Sequence, residues 1–211
     1  MSFDLEEQEK IDELKAWWKQ NGSTVLLGVA VFVAILGGMQ GWRYYQKSQQ
    51  QQAAQVYEAV QNGVRAKDKT RVRDAAGQLI EKYPATPYAT RAALIVAGIN
   101  YELGDAKSAK AQLQWVIEHA KEDGARDMAR LRLAGILLDD KSYAEAMKLL
   151  EAQHQNSFDG LFADLKGDVL AAQGKIADAS AAYKTALEKI DEKSTYRQIV
   201  QMKLDGLGAH G

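Results

Sequence analysis

The side chains with the widest chemical reach in this 211-residue sequence are three histidines, His119, His154 and His210, set among 28 carboxylates and no cysteine. A metal site on a helix needs ligands three or four residues apart on one face, and no two of these histidines have that spacing. Glu118 and His119 are sequence neighbours and therefore point to different faces of a helix. His210 stands in a terminal GAHG tail. The absence of cysteine removes disulfides, thiol nucleophiles and Cys-based metal sites. No phosphate-cradling glycine loop, nucleophile elbow or dinucleotide fingerprint occurs. Asp and Glu pairs at helical spacing read as solvated faces. These observations predict no catalytic site, no cofactor and no metal, and they leave binding as the function to be located.

The element that must position any binding surface is the apolar run from Gly22 to Trp42. No charged residue lies between Lys19 and Arg43, and its centre, Val25 to Met39, contains Val, Leu, Ile, Phe, Ala and Gly with one Met. A bilayer core of about 30 Å takes roughly 20 residues of helix. Nine large aliphatic or Phe residues in that centre contribute about −3 to −5 kcal/mol to insertion. Trp17 and Trp18 precede the run, and Trp42, Tyr44 and Tyr45 follow it, as interfacial aromatics do. A cleaved signal peptide would carry a short basic n-region and a small-residue cleavage site. Residues 1–22 instead hold six acidic and three basic side chains, and the run ends in GGMQGW. A buried core helix would lack the double aromatic girdle. The reading is one membrane-spanning helix at 22–42. Lys10, Lys15, Lys19 and the α-amino group against Arg43 and Lys47 place residues 1–21 in the cytoplasm. Ala30, Ala34 and Gly38, with Gly37 and Gly41, form small-residue ladders that would admit a second helix.

Beyond Trp42 the charge is balanced, 24 basic against 22 acidic residues, which argues against a nucleic-acid partner. A Gln-rich stalk is expected at 43–52 and a folded domain at 53–211. The cluster Arg65, Lys67, Lys69, Arg71 and Arg73 reads as a solvated helix connection. From there the sequence repeats. Ala75, Ala109, Ala146 and Ala179 each precede a large residue by one turn (Leu79, Leu113, Leu150, Tyr183) and follow a small one by twelve residues (Gly63, Ala97, Ala134, Gly167). Turn signals lie between. The pattern predicts helical hairpins in which a small residue on the first helix meets a small one on the second. Pro84 and Pro87 fall between hairpins, Pro87 at a first-turn position. Tyr196, Ile199, Val200, Met202 and Leu204 are expected to face inward on a final capping helix.

The repeat resembles the tetratricopeptide repeat, a helix–turn–helix unit of 34 residues, best in Gly167, Gly174, Ala179, Tyr183 and Ala186. The implied fold class is all-α: one N-terminal transmembrane helix, then a tetratricopeptide-like α-solenoid of about four helical hairpins with a C-terminal cap. The whole layout is similar to the YfgM-like ancillary subunits of the bacterial SecYEG translocon. The likeness rests on the acidic start, Trp17-Trp18 and Asn21-Gly22, the exit Gly41-Trp42-Arg43-Tyr44-Tyr45, Ala163-Asp164-Leu165-Lys166-Gly167-Asp168, and Gln201-Met202-Lys203. The resemblance implies an inner-membrane protein with a periplasmic repeat domain. Its implied partners are the SecYEG translocon, a membrane-anchored periplasmic prolyl isomerase and nascent secreted polypeptides, besides the lipid bilayer. It brings no catalytic residues.

In such stacks the first helix of each hairpin lines the concave surface, as the resemblance implies. Here that surface would carry Leu94, Tyr101, Met128, Leu131, Leu138 and Leu161, rimmed by Arg91, Glu102, Asp139, Asp164 and Asp168. An apolar groove with an acidic rim suits extended polypeptide, and packing of these leucines between helices is the alternative. Two other functions fit the sequence: a regulatory adaptor whose residues 1–20 bind a signalling protein, and an envelope-assembly scaffold for folded partners.

Overall fold

With two prolines in the whole chain and an abundance of good helix formers, little interrupts a helix here except a turn. The computed structural model describes residues 3–208, with only the backbone described for residues 3–6 and 8. His210 and the side chains of Phe3 and Leu5 lie outside that description. Every regular element among the described residues is helical: α1 (Phe3–Arg65), α2 (Lys69–Lys82), α3 (Pro87–Glu102), α4 (Ala106–His119), α5 (Asp123–Asp139), α6 (Tyr143–Leu150), a 3-10 turn (Asn156–Phe158), α7 (Asp159–Ala172), α8 (Ile176–Lys189) and α9 (Tyr196–Gly208).

Two compact units divide between Gln49 and Gln50. The first holds the stretch of α1 that is long and apolar enough to cross a membrane, and only 6% of that stretch is buried. Leu26, Leu27, Phe32, Val33 and Ile35 are all exposed, so this stretch lies in no protein core among the described residues. Trp17, Trp18, Trp42, Tyr44 and Tyr45 flank it, equally exposed.

The second unit is a stack of four hairpins: the end of α1 with α2, α3 with α4, α5 with α6, and α7 with α8, followed by α9. The first helices also touch one another, α3 with α5 and α5 with α7, so they form one layer and the second helices the other. Ala75, Ala109, Ala146 and Ala179 are buried, as are Leu79, Leu113, Leu150 and Tyr183. Pro87 opens α3 behind Thr86, whose hydroxyl accepts from the Ala89 amide and donates to the Tyr83 carbonyl.

Each hairpin turns on one left-handed residue: Lys67 (φ 55°), Gly104 (φ 80°), Lys141 (φ 60°) and Gly174 (φ 75°). The next residue donates its amide back to the first helix, Asp68 to Gly63, Asp105 to Asn100, Ser142 to Leu137 and Lys175 to Leu170. This is the Schellman closure, which satisfies the last carbonyls of a helix and favours glycine at the left-handed position. Two turns therefore use lysine where glycine would be unstrained. Lys141→Gly is expected to raise stability by about 0.5–1 kcal/mol, the relief being partly offset by the greater freedom of glycine in the unfolded chain. A denaturant midpoint unmoved or lowered would show the turn to be unstrained.

Aligning the hairpins on these turns corrects the register of the first. Gly104, Lys141 and Gly174 each follow the small residue of their first helix by seven positions, whereas Lys67 follows Gly63 by four. The equivalent close pair in the first hairpin is Val60 and Val72, both fully buried. Larger side chains stand there, and Gly63 one turn later makes room: a Cβ on it would lie 2.8 Å from Val72 Cγ2. Gly167 likewise faces the Tyr183 ring, 2.5 Å from a would-be Cβ, so at both glycines the small residue meets a large one. In α9, Val200, Tyr196, Leu204 and Leu207 pack inward while Ile199 and Met202 face solvent, contrary to the expectation for the last two. Residues 196, 200, 204 and 207 make one helical stripe, whereas 199 and 202 lie beside it.

Candidate functional site

The six side chains expected to line a groove are not equivalent in the structure. Tyr101 is 40% exposed, while Leu94, Met128, Leu131, Leu138 and Leu161 are half-buried. Leu94, Leu131 and Leu138 pack against the central core, which runs from Ala93 on α3 to Val169 on α7. Tyr101 and Leu138 nevertheless meet across one cleft of about 460 Å³ between α3 and α5, with Leu113 of α4 also lining it. Leu94, Met128, Leu131 and Leu161 do not line it.

Two residues that no groove expectation named create this cleft. Gly98 and Gly135 line it, and a Cβ on either would meet nothing within 4 Å. They stand 37 residues apart, each immediately after the repeat's small residue, Ala97 or Ala134. That spacing was available in the sequence. A glycine inside a helix is destabilising by about 0.5–1 kcal/mol relative to alanine, and one use of it is to let another chain approach the backbone closely. Polar groups frame the opening. The Tyr101 hydroxyl donates to the Asp139 carboxylate, and Arg132 Nη1 donates to the Leu94 carbonyl at 3.0 Å. The hydrogen bond to Asp139 holds the Tyr101 phenol protonated above its ordinary range. The result is an apolar trough with one aromatic wall and a polar edge.

The expected acidic rim is only partly a rim. Arg91, Glu102 and Asp139 are exposed, and Glu102 pairs with Lys69 at 3.1 Å. Asp164, expected on the same rim, is instead buried at 1% exposure. Its carboxylate accepts from Tyr196 Oη at 2.5 Å and from Lys203 Nζ at 3.0 and 2.8 Å. The same Lys203 nitrogen reaches Asp168 at 2.7 Å, and Asp168 in turn accepts from Tyr183 Oη at 2.7 Å. A side chain placed on a groove by helical phase is thus drawn to the opposite role, because α9 supplies the Lys203 ammonium and the Tyr196 hydroxyl that make its burial tolerable. Burial first, then the hydrogen bonds to Asp168 and Asp164, push the Tyr183 and Tyr196 phenols well above their ordinary range. Burial pulls Lys203 down, but its bonds to Asp164 and Asp168 outweigh that and raise it.

Both described histidines serve packing. His119 stacks on Trp115 with ring centroids 4.9 Å apart, its Nδ1 2.9 Å from the Trp115 carbonyl. His154 stacks on Phe162 at 3.8 Å, in a loop held by the buried Asp127 carboxylate. Asp127 accepts from the Gln155 amide at 3.0 Å and from Arg130 Nη1 at 2.7 Å.

An exposed apolar helix joined to a stack of hairpins whose first helices share one layer defines a helical-repeat protein of the tetratricopeptide class. The tetratricopeptide repeat-like domain family matches residues 15–209. A protein of Neisseria gonorrhoeae named "Ancillary SecYEG translocon subunit" is 32% identical over 98% of this chain and 100% of its own length. Proteins of the same name from Haemophilus influenzae, 29% identical over 98% and 100%, and Escherichia coli, 26% identical over 95% and 96%, are also similar. The chain belongs to the family of ancillary SecYEG translocon subunits.

Proposed function

We infer that this chain is a non-catalytic subunit associated with the Sec translocon, set in the inner membrane by residues 22–42, which receives extended segments of secreted polypeptide in the α3–α5 cleft. The names of its relatives support the Sec association. Residues 1–21 lie in the cytoplasm and 53–211 in the periplasm, on the basic-residue count at the two ends of the apolar run. There the repeat domain holds a membrane-anchored prolyl isomerase beside the emerging chain. A reporter active only in the cytoplasm, fused after Gly211, should be silent; activity there would reverse the orientation and remove the secretory role with it.

The observation that carries the polypeptide reading is the pair of glycines that opens the cleft beside Tyr101 and Leu138. Binding energy in such troughs concentrates in a few aromatic and aliphatic anchors. Because nothing stands within 4 Å of a Cβ at either glycine, the cleft can be filled without disturbing the core. Gly98→Leu and Gly135→Leu should leave the melting temperature of the full-length protein unchanged or slightly higher, since leucine favours helix by about 0.5–1 kcal/mol over glycine. Photo-crosslinking of the filled double variant to a translocating substrate in membranes should fall about tenfold, the loss of two or three anchoring contacts. Unchanged crosslinking at unchanged stability would take the cleft out of the function and leave a scaffold.

A further inference from the structure

A second cleft, of about 440 Å³, lies on the other side of α3, between α2 and α4. Asn100 lines it, and Asn100 stands about 200° round the helix from Gly98, so the two clefts open on opposite faces of α3. Its chemistry differs from the first. Asn100 is 3% exposed, yet its Oδ1 has no protein hydrogen-bond partner, and Gln112 Oε1, buried in the same wall, has none either. Buried carbonyl oxygens are nearly always paired, and leaving two unpaired in one cleft weakens the free protein. Arg73 and Asp74 stand together on the rim and cancel in charge.

We propose that the α2–α4 cleft is a second polypeptide site, which binds the main chain of an extended, uncharged segment through the Asn100 and Gln112 carboxamides. This rests on the reading of the protein as a receiver of polypeptide and adds a separate surface to it. A carboxamide carries a donor and an acceptor on one edge. An extended residue presents its own N–H and C=O side by side, so the two match through a pair of parallel hydrogen bonds. Main-chain recognition of this kind is indifferent to side-chain sequence, and the adjacent, oppositely charged Arg73 and Asp74 give no preference for either charge. The two clefts therefore divide the work: Tyr101 and Leu138 take apolar side chains, and Asn100 and Gln112 take backbone.

The test uses the full-length protein in detergent, with a photo-crosslinking residue at Gly77, which lines the second cleft and has nothing within 4 Å of a Cβ, or at Arg132 on the exposed edge of the first. The probe is a biotinylated unfolded peptide of Ala, Gly, Ser and Thr. Crosslinking from Gly77 is expected, and Asn100→Leu should reduce it about tenfold while the melting temperature stays level or rises, because an unpaired buried amide has been removed. Gln112→Leu, at a half-buried position, should act in the same direction and serves as the reading should Asn100→Leu fail to fold. Crosslinking of a second unfolded peptide, rich in Leu and Phe, from Arg132 should be unaffected by either change. Should the Gly77 probe not crosslink, or should both variants bind the peptide as the parent does, the oxygens are met by buried water and the proposal is overturned. Crosslinking of the first peptide from Gly77 without any of the Leu- and Phe-rich peptide from Arg132 would instead remove the first cleft and leave the second standing.

Discussion

Replacing Lys203 by Met is expected to destabilise the full-length protein by about 2–3 kcal/mol and to release α9 from the stack. One ammonium nitrogen holds two carboxylates, at 2.8 Å from Asp164 and 2.7 Å from Asp168, and the Asp164 side chain is 2% exposed. Removing one partner of a buried ion pair leaves an uncompensated charge and costs about 3–5 kcal/mol; the figure is reduced here because Lys203 and Asp168 remain partly open to water. Restoring neutrality with Asp164→Asn and Asp168→Asn in the same chain should recover most of the loss. Amide exchange over Tyr196–Gly208 reads the release directly. A change within about 0.5 kcal/mol, typical of surface sites, would mean the network does not hold α9.

The same cluster sets a pH dependence. Tyr183 and Tyr196 are raised above 10.0 and Lys203 above 10.5, so the folded chain holds these protons more tightly than the unfolded chain. Their contribution is fully present below about pH 10 and is lost as pH rises beyond it, where the unfolded state alone releases protons. The parent should lose stability steeply in that range, and Lys203→Met less steeply.

A second large effect is expected at Gly167. A Cβ there would sit 2.5 Å from two carbons of the Tyr183 ring, and that ring is 3% exposed and tied through its hydroxyl to Asp168. Gly167→Leu must displace the ring, overpacking the contact and breaking a hydrogen bond to a charged group, about 3–5 kcal/mol together. Gly206→Ala provides the contrast: it lies exposed on α9 with open space around it and should gain about 0.5–1 kcal/mol of helix propensity. Equal melting temperatures for the two variants would refute the close approach of α7 and α8.

The repeat was legible because its period is a property of single helices. Ala109, Ala146 and Ala179 fall at burial positions by phase alone, and so do Leu113, Leu150 and Tyr183 one turn on. The first hairpin was read one turn out because Gly63 and Ala75 imitate the small-residue pair. The left-handed residue that fixes its register is Lys67, a type that carries no turn signal. Ile199 and Met202 were misplaced for a related reason: α9 is apolar on more than one face, and only its neighbours select which face is buried. Gly98 and Gly135 were visible in the sequence at the repeat spacing, but a glycine inside a helix has several explanations until the space around it is known.

The sequence by itself determined the apolar span, the helical class, the number of hairpins and the family, since each follows from local composition or from a period along one chain. Only the tertiary structure decided what Asp164 does. Helical phase placed it on a groove rim, yet its partners, Tyr196 and Lys203, lie 32 and 39 residues away, and such pairing depends on how α9 docks. Two of the motifs that carry the resemblance, residues 163–168 and 201–203, meet there as one ionic cluster. A charge can be buried only where opposite charge and hydrogen-bond donors converge from separate elements, and that convergence belongs to the packed stack and to no segment of it.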